Sequence, residues 1–201
     1  MARPQIFDET EVIDTAMRLF WLQGYVATGM SQLLETTKLK PGSFYNAFAS
    51  KKALFIRSLE YYNDKIVADR IARLLKAPDP ISAIEGFLLS SFEPAPRSEL
   101  IGCLLTNTAT EVGNFDAEIN QVVWSGLCQI KSAFKHRIID AQESGRVAPE
   151  LDPEVTALHL LSCFQGMGVI GRLTQDKAKL RSLTKTALQV LQLTEPSEDS
   201  A

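Results

Sequence analysis

The sequence has little of what marks a secreted, metal-binding or membrane protein. Its three cysteines, Cys103, Cys128 and Cys163, have no Cys-x-x-Cys spacing, so neither a disulfide framework nor a zinc site is expected. The longest charge-free apolar stretch, residues 155–171, is interrupted by polar residues and glycines, whereas a membrane span needs about 20 mostly apolar residues. No charged segment followed by an apolar run opens the chain, so no signal peptide is predicted. These absences favour a cytoplasmic protein.

Motifs that indicate an enzyme are also missing. The chain has no His-Glu-x-x-His, no glycine-rich phosphate loop and no recognisable pair of nucleophile and base. Its acidic residues are scattered, as on solvated surfaces. The expectation is therefore a protein that is not an enzyme and has no cofactor or metal, although an all-helical enzyme is an alternative to be tested.

The charge of the chain is unevenly distributed. The net charge is −3, which by itself argues against a nucleic-acid partner. Between residues 31 and 57, however, one acidic residue, Glu35, stands against five basic ones: Lys38, Lys40, Lys51, Lys52 and Arg57. The local net charge of this segment is +4, and such a basic patch predicts a salt-dependent interaction with DNA phosphates.

The basic segment coincides with a helix-turn-helix pattern. Residues 28–52 read as two short helices joined by a tight turn and followed by a third helix. Thr28 is placed to cap the first helix with its hydroxyl, and Leu39 closes the turn as a buried apolar plug. Pro41 suits the first turn of the second helix, where a missing N–H has no effect. The pattern predicts a DNA-binding motif.

The second helix of the motif has two faces. Phe44 and Phe48 are four residues apart and form its inward stripe. Ser50 then caps a third helix, which begins at Lys51. The opposite face of the second helix is small, polar or cationic, as suits contact with base edges and phosphates: Lys40, Gly42, Ser43, Tyr45 and Asn46.

Together these residues resemble the DNA-binding signature of the TetR (TetR/AcrR) family of bacterial transcriptional regulators. The matching positions are Gly24, Tyr25, Thr28, Leu33, Leu39, Gly42, Ser43, Phe44, Tyr45, Phe48, Ser50, Lys51, Leu54 and Phe55. The resemblance implies that the second helix of the motif enters the major groove, and that Tyr45 and Lys51 hold phosphates. Ala47 and Lys40 depart from the common pattern, so the base preference cannot be transferred from a relative.

The expected DNA-binding residues are Thr28, Lys40, Pro41, Gly42, Ser43, Tyr45, Asn46 and Lys51. Two other interpretations stay open. The motif could be an ordinary amphipathic helix pair in which Tyr45 is half-buried in the core. The whole chain could also be a helical adaptor or ligand-binding protein that does not bind DNA. A measurement of salt-dependent DNA binding would distinguish a DNA-binding regulator from such an adaptor.

The rest of the chain also reads as helical, and the fold class expected is all-α with about nine helices. With 201 residues, 45% of them hydrophobic, the chain can bury a sizeable core. The predicted segments are 8–23 with Gly24 as its stop, the motif, a long helix from residue 50 to 77, then 80–92, 98–112, 116–144, a helix capped by Asp152 with Pro153 in its first turn, and 176–192.

The expected domains are a helix-turn-helix DNA-binding domain at 1–52, a ligand-binding and dimerisation domain at 53–193, and a loose acidic tail at 194–201. In the family that the chain resembles, the last two helices of each protomer form a four-helix dimer interface. The helix capped by Asp152 is apolar and contains several glycines, which weaken a helix relative to alanine. Their presence is easiest to explain if another helix packs closely there. The candidate interface residues are Gly166, Gly168, Gly171, Leu180, Leu183 and Leu188; packing of the same face within one chain is the alternative.

The resemblance further implies a core that receives a signal from an unknown small-molecule effector. A largely apolar pocket is expected there, with candidate ligand-binding or sensing residues Tyr62, Phe92, Cys103, Trp124, Cys128 and His159. The segment around Cys103 resembles one in a subgroup of these repressors, some of which respond to electrophiles or oxidants through a cysteine. A helix over 98–112 would place Cys103 beyond the first turn, where the helix dipole has little effect on a thiol. A small, buried core residue is the alternative for each candidate.

These observations predict a homodimeric transcriptional regulator, and specifically a repressor that an effector releases from a palindromic operator.

Overall fold

The computed structural model describes residues 7–93, 102–112, 115–174 and 176–192. The described residues form nine helices and no strand, which confirms the all-α prediction. Residues 94–101 and the tail 194–201 lie outside the described residues. Over the ranges that are described, no helix combines the length and apolarity that crossing a membrane requires.

The first four helices include the predicted motif. Helix α1 spans Glu9–Gln23, α2 spans Met30–Thr37 and α3 spans Pro41–Phe48. Helix α4 begins as Lys51–Tyr62, passes through one π-helical turn at Asn63–Val67 and continues as Ala68–Lys76. The predicted long helix from residue 50 to 77 is therefore continuous, although its hydrogen-bond pattern changes in the middle.

The remaining helices follow in chain order. They are α5 at Pro80–Leu89, α6 at Leu104–Val112, α7 at Ala117–Glu143, α8 at Pro153–Leu173 and α9 at Lys177–Leu188, with a short 3-10 turn at Gln189–Leu191 after α9. The prediction of one helix over 98–112 was wrong within the described residues, because α6 begins only at Leu104. The backbone oxygen of Cys103 accepts the amide of Asn107 at 3.1 Å, so Cys103 occupies the N-cap position of α6.

Side-chain caps account for several helix starts. Ser50 accepts the amide of Ala53 at 3.0 Å, and Asp152 accepts the amides of Glu154 and Val155 at 2.8 and 3.2 Å, as predicted. The predicted cap at Thr28 was wrong, because α2 begins at Met30 with Gly29 in the cap position and no side-chain cap bond. Gly24 ends α1 in a backbone conformation with φ of 90°, as its predicted role requires.

The chain divides into two compact units. The first contains the described parts of residues 1–68 and 103–126. Its core includes an aromatic group in which Phe20 meets Phe55 edge to face at 4.8 Å and Trp21 meets Tyr62 edge to face at 4.9 Å. These contacts pack α1 against the first half of α4, and the motif lies next to this packed helix pair.

The second unit contains the described parts of residues 69–102 and 127–201. Helices α5, α8 and α9 pack together in it. Phe87 lies in its core, with its ring 4.9 Å from that of Phe134 and 5.0 Å from that of Phe164. The assignment of functions to domains with limits at 52 and 193 stays a prediction.

Candidate nucleic-acid interface

Helix α3 presents one buried and one exposed face. Phe44 and Phe48 are 0% and 3% exposed, and burying each phenylalanine side chain stabilises the motif by about 1.5–3 kcal/mol. Leu39, in the turn between α2 and α3, is also buried. These three side chains hold α3 against its neighbours, which leaves its other face open.

The exposed face carries the residues that the sequence pattern predicted. All six are exposed: Lys40, Pro41, Gly42, Ser43, Tyr45 and Asn46. Pro41 occupies the first turn of α3, as expected, and Lys40 is its N-cap residue. Tyr45 is 53% exposed, which excludes a core position for this side chain. The ring of Tyr45 meets that of Phe44 edge to face at 5.3 Å, so the exposed tyrosine is oriented by the buried phenylalanine.

Gly42 leaves this face flat. A Cβ atom built on Gly42 would have no other atom within 4 Å, so the glycine is not required by packing inside the chain. Its absent side chain therefore leaves space in front of the α3 backbone. That is the arrangement expected if a duplex approaches the backbone closely.

Thr28, also expected among the DNA-binding residues, does not belong to the exposed face, and its assignment to DNA binding stays a prediction. Its side chain is 0% exposed, and its hydroxyl donates to the backbone oxygen of Gly24 at 2.6 Å. The hydroxyl thus links the start of the α1–α2 loop to its end. Thr28 supports the motif from inside.

Lys51 is held beside the ring of Tyr25. Its Nζ atom is 4.5 Å from the ring centroid, within range of a cation–π interaction. Burial lowers the pKa of Lys51, and the negative charge of Glu111 opposes this effect. The ring of Tyr25 stacks on Phe55 at 4.5 Å, so Lys51 is positioned by an aromatic pair at the start of α4.

The basic patch is smaller than the sequence indicated. Lys52 binds Asp116 at 2.7 Å and Glu118 at 3.0 Å, and hydrogen bonding to these two carboxylates raises the pKa of Lys52. Arg57 forms an ion pair with Glu9. In the part of the chain that is described, Lys38, Lys40 and Lys51 have no ion-pair partner, so three of the five predicted bases are left for phosphates.

Glu111 is a residue of this region that sequence reasoning missed. Its carboxylate accepts the backbone N–H of Tyr25 at 2.9 Å and that of Val26 at 2.7 Å. The partners are 86 and 85 residues apart in sequence, so no local pattern could have predicted the contact. The positive φ of Gly24, which leaves room for the Glu111 carboxylate, is a nearby feature that reflects it.

The predicted ligand-binding residues do not share one environment. Tyr62 and Cys103 are buried, with 3.7 Å between the Tyr62 hydroxyl and the Cys103 Sγ. Trp124 is 59% exposed, and His159 is exposed with its Nε2 atom 3.6 Å from the Sγ of Cys163. These two residues therefore do not share the buried environment of Tyr62 and Cys103, and their ligand-binding role stays a prediction. Cys128 is half-buried.

Phe92, the remaining candidate, packs inside the second unit. It is buried, and a Cβ atom built on Gly171 would lie 2.7 Å from the Cβ of Phe92. Gly171 therefore serves packing within the chain. Gly168 and Leu180 are buried as well, so these three candidate interface residues take part in packing within the chain, and their role in a dimer interface stays a prediction.

Gly166, Leu183 and Leu188 remain accessible in the single chain. Gly166 is exposed and a Cβ there would meet nothing within 4 Å. Leu183 is 40% exposed, and Leu188 is half-buried in an open groove of about 420 Å³ beside Arg146 and Lys185.

The exposed α3 face belongs to a helix pair whose inward side chains are buried, followed by a capped third helix, and this arrangement defines a helix-turn-helix DNA-binding protein. The chain belongs to the TetR family of bacterial regulatory proteins, because the family's N-terminal domain matches residues 12–57 and the tetracyclin repressor-like C-terminal domain matches residues 87–187. It is therefore a transcriptional regulator of a family that is not enzymatic. Membership of this family decides against the alternative that the chain is a helical enzyme.

Similar proteins cover almost the whole chain. The transcriptional repressor ComR of Escherichia coli (strain K12) is 28% identical over 196 residues, which is 94% of this chain and 90% of ComR. The repressor DhaR of Mycobacterium sp. (strain GP1) is 22% identical over 194 residues, which is 95% of this chain and 94% of DhaR.

Solved structures support the fold. The TetR family regulator CifR, in a cysteine-substituted form complexed with a 26-base-pair operator duplex, superposes with a TM-score of 0.82 at 23% identity, covering 94% of this chain and 100% of CifR. The reduced form of E. coli NemR superposes with a TM-score of 0.79 at 18% identity, covering 93% and 97%.

Proposed function

We propose that this regulator is a homodimeric repressor that binds a palindromic operator and leaves it when an effector binds. The observation that carries the proposal is the exposed face of α3, where Gly42, Ser43, Tyr45 and Asn46 project from a helix that Phe44 and Phe48 anchor. Such a face fits the major groove, where side-chain amides and hydroxyls bind base edges. ComR and DhaR are both named as repressors, which supports the same sign of regulation.

The roles of individual residues follow from their chemistry. Asn46 is proposed to bind bases, because its side-chain amide can donate and accept at one base edge. Lys40, Tyr45 and Lys51 are proposed to bind phosphates, and Pro41, Gly42 and Ser43 to let the backbone approach the duplex. An operator-binding protein acts where the chromosome is, so the proposed location is the cytoplasm.

Dimerisation is proposed through α8 and α9. One face of α8 leaves large apolar side chains exposed: Val155, Leu158, Val169, Ile170 and Leu173. Gly166 lies in this helix with open space in front of it, and Leu183 of α9 is also exposed. An apolar face of this extent is expected to be covered by another chain, and a second copy would place two α3 helices on the half-sites of a palindrome.

The proposed effector is a small apolar molecule or an electrophile. Cys103 at the N-cap of α6 is the proposed sensing residue for an electrophile, and Tyr62 is its neighbour. The cysteine is only 3% exposed, so a reagent that reaches it would have to displace surrounding side chains. For a reversible apolar ligand, a coupling free energy of about 1–3 kcal/mol is enough to lower operator affinity by 5- to 150-fold.

The proposal is tested by selecting genomic fragments with the purified protein at low salt. Enrichment of a palindromic site, bound by a species with the mass of a dimer, is the expected result. Failure to enrich any site would refute operator binding. The dimer face is tested by sedimentation of Leu158→Glu, which should be monomeric, beside the control Leu75→Glu, which changes an exposed leucine of α4.

The effector is tested on the recovered site. A thiol-reactive electrophile is added to the wild-type protein and to Cys103→Ser. Release of the wild type alone would support an electrophile sensor. Retention of both proteins, or equal release of both, would refute a sensing role for Cys103 and favour a reversible apolar ligand.

A further inference from the structure

We propose that Glu111 is a positioning residue for operator binding: its carboxylate fixes the α1–α2 loop and, through Tyr25, the Lys51 amine in the place from which it binds phosphate. The inference deepens the proposed function and rests on it. Glu111 itself is not proposed to touch DNA. Its effect would pass through two hydrogen bonds and one aromatic ring.

Glu111 contacts the α1–α2 loop through both of its carboxylate oxygens. The two carboxylate oxygens are used separately, because Oε2 accepts the Tyr25 N–H and Oε1 accepts the Val26 N–H, at 2.9 and 2.7 Å. Hydrogen bonds to an ionised acceptor are shorter and about twice as strong as neutral ones. A single side chain thus satisfies two consecutive amides just beyond the C-terminal end of α1.

The loop is shaped to admit this carboxylate. Gly24 has a φ of 90°, a conformation that other residues rarely adopt. A Cβ atom on Gly24 would lie 2.8 Å from Oε1 of Glu111, closer than a side chain tolerates. The glycine therefore provides both the backbone turn and the space that the contact needs.

Tyr25 connects Glu111 to Lys51. The backbone amide of Tyr25 is bound by Glu111, while its ring is stacked on Phe55 and lies 4.5 Å from the Lys51 Nζ atom. Glu111 also acts on Lys51 directly, since its negative charge favours the protonated amine. Tyr25 is thus the shared element between the carboxylate and the amine, and moving its backbone would move the ring on which Lys51 rests.

Helix electrostatics do not explain why a carboxylate is found here. Glu111 lies in the last turn of α6 and beside the last turn of α1, and the C-terminal end of a helix disfavours negative charge. A glutamate in this place is therefore expected to weaken both helices slightly. The carboxylate is held in this geometry by two hydrogen bonds from the backbone amides of Tyr25 and Val26. This indicates that the role of Glu111 is to hold the loop.

The test uses the full chain and the operator recovered by selection, and compares the wild type with Glu111→Gln, Lys51→Ala and the double variant. Each N–H is bound by a different carboxylate oxygen, and Glu111→Gln puts an NH₂ donor in place of one of them, so one N–H loses its acceptor in this geometry. Operator affinity should fall about tenfold, the effect of losing a hydrogen bond to a charged group. The slope of log affinity against log salt should fall by about two per dimer, as it should for Lys51→Ala.

Non-additivity is the result that distinguishes positioning from general stability. Because Glu111 acts through Lys51, the double variant should have the salt slope of Lys51→Ala alone. Glu143→Gln, a change of an exposed glutamate in the last turn of α7, is the matched control and should keep wild-type affinity and slope. Wild-type binding by Glu111→Gln, or a further loss of slope in the double variant, would overturn the inference.

A second measurement separates this inference from the proposed function. Hydrogen exchange of the Tyr25 and Val26 amides, measured without DNA, should be faster in Glu111→Gln than in the wild type and unchanged in Glu143→Gln. Glu111→Asp, which keeps the charge on a shorter side chain, should give an intermediate rate. Unchanged exchange in Glu111→Gln would overturn the positioning role even if operator binding is found, whereas a wild-type protein that binds no operator would overturn the proposed function and the inference together.

Discussion

The Nζ atom of Lys51 lies 4.5 Å from the centre of the Tyr25 ring. This places the cation that follows α3 on a support contributed by the α1–α2 loop. A lysine side chain in solution has several rotatable bonds and loses much conformational freedom on binding. A ring that already holds the amine reduces that loss.

Replacing the ring should therefore weaken operator binding more than removing its hydroxyl. Tyr25→Leu loses the cation–π contact, which contributes about 0.5–1 kcal/mol at an exposed site, and operator affinity should fall a few-fold as a result. Tyr25→Phe keeps the ring and should bind like the wild type. The two variants are compared by titrating a labelled operator at fixed salt; equal losses would show that the hydroxyl, and not the ring, matters.

Asn46→Ala should reduce discrimination between sequences. If the Asn46 amide binds one base edge, the variant should lose about 1–3 kcal/mol of binding free energy on the operator. It should lose little binding free energy on a duplex altered at that base pair. Lys40→Ala is the contrasting change, because loss of a phosphate contact weakens binding to all duplexes alike. Competition among single-base variants of the operator measures both, and a uniform loss for Asn46→Ala would argue against base recognition.

As the pH is raised, operator affinity should begin to fall at a lower pH than it would if Lys51 had the pKa of an ordinary lysine. Burial lowers the pKa of Lys51 from 10.5, so the free protein loses this charge below that pH, while a bound phosphate favours the protonated form. In the window between the lowered pKa and 10.5, the folded chain binds fewer protons than the unfolded chain, and the contribution of Lys51 to stability rises with pH. Binding weakens in the same window.

The control for this pH dependence is Lys51→Arg. Arginine stays protonated throughout, so the alkaline loss of affinity should become smaller in this variant. Filter binding at several pH values, at constant ionic strength, is the measurement. An unaltered pH profile in Lys51→Arg would assign the titration to another group.

Two glycines of α8 should respond to alanine in opposite ways. Gly171→Ala brings a Cβ to 2.7 Å from the Cβ of Phe92, and overpacking of this kind destabilises by about 1–3 kcal/mol. A Cβ at Gly166 meets nothing within 4 Å, so the gain in helix propensity, up to about 1 kcal/mol, should dominate in the isolated chain. Urea unfolding at low protein concentration compares them.

The response of Gly166→Ala at high protein concentration gives further information. If a second copy packs closely on this part of α8, the same change should weaken the dimer, and sedimentation equilibrium would detect a larger dissociation constant. A dimer of wild-type strength would remove Gly166 from the proposed interface.

Local patterns were sufficient for much of the motif. The four-residue spacing of Phe44 and Phe48 predicted which face of α3 is buried, and the cap at Ser50 predicted where α4 begins. Thr28 is of a residue type that often caps helices, but it does not occupy the N-cap position. Its hydroxyl donates to the backbone oxygen of Gly24, and α2 begins two residues later. Composition alone does not distinguish these two uses of a threonine.

Two further features depended on information that is not local. The π turn of α4 adds one residue to the helical repeat, and Val67 is buried there while Ile66 is only partly buried. The partners of Glu111 and Lys52 come from distant parts of the chain. Residues that meet only after folding leave no periodicity in the sequence.

The ion pairs of Lys52 and Arg57 have a consequence for how the regulator finds its site. Attraction to phosphates supplies nearly all affinity for random DNA, and these two side chains are engaged by Asp116, Glu118 and Glu9. The chain therefore offers random DNA fewer free cations than its sequence contains. Shorter stays on non-operator DNA are therefore expected, with less of the search time spent on the wrong sequences.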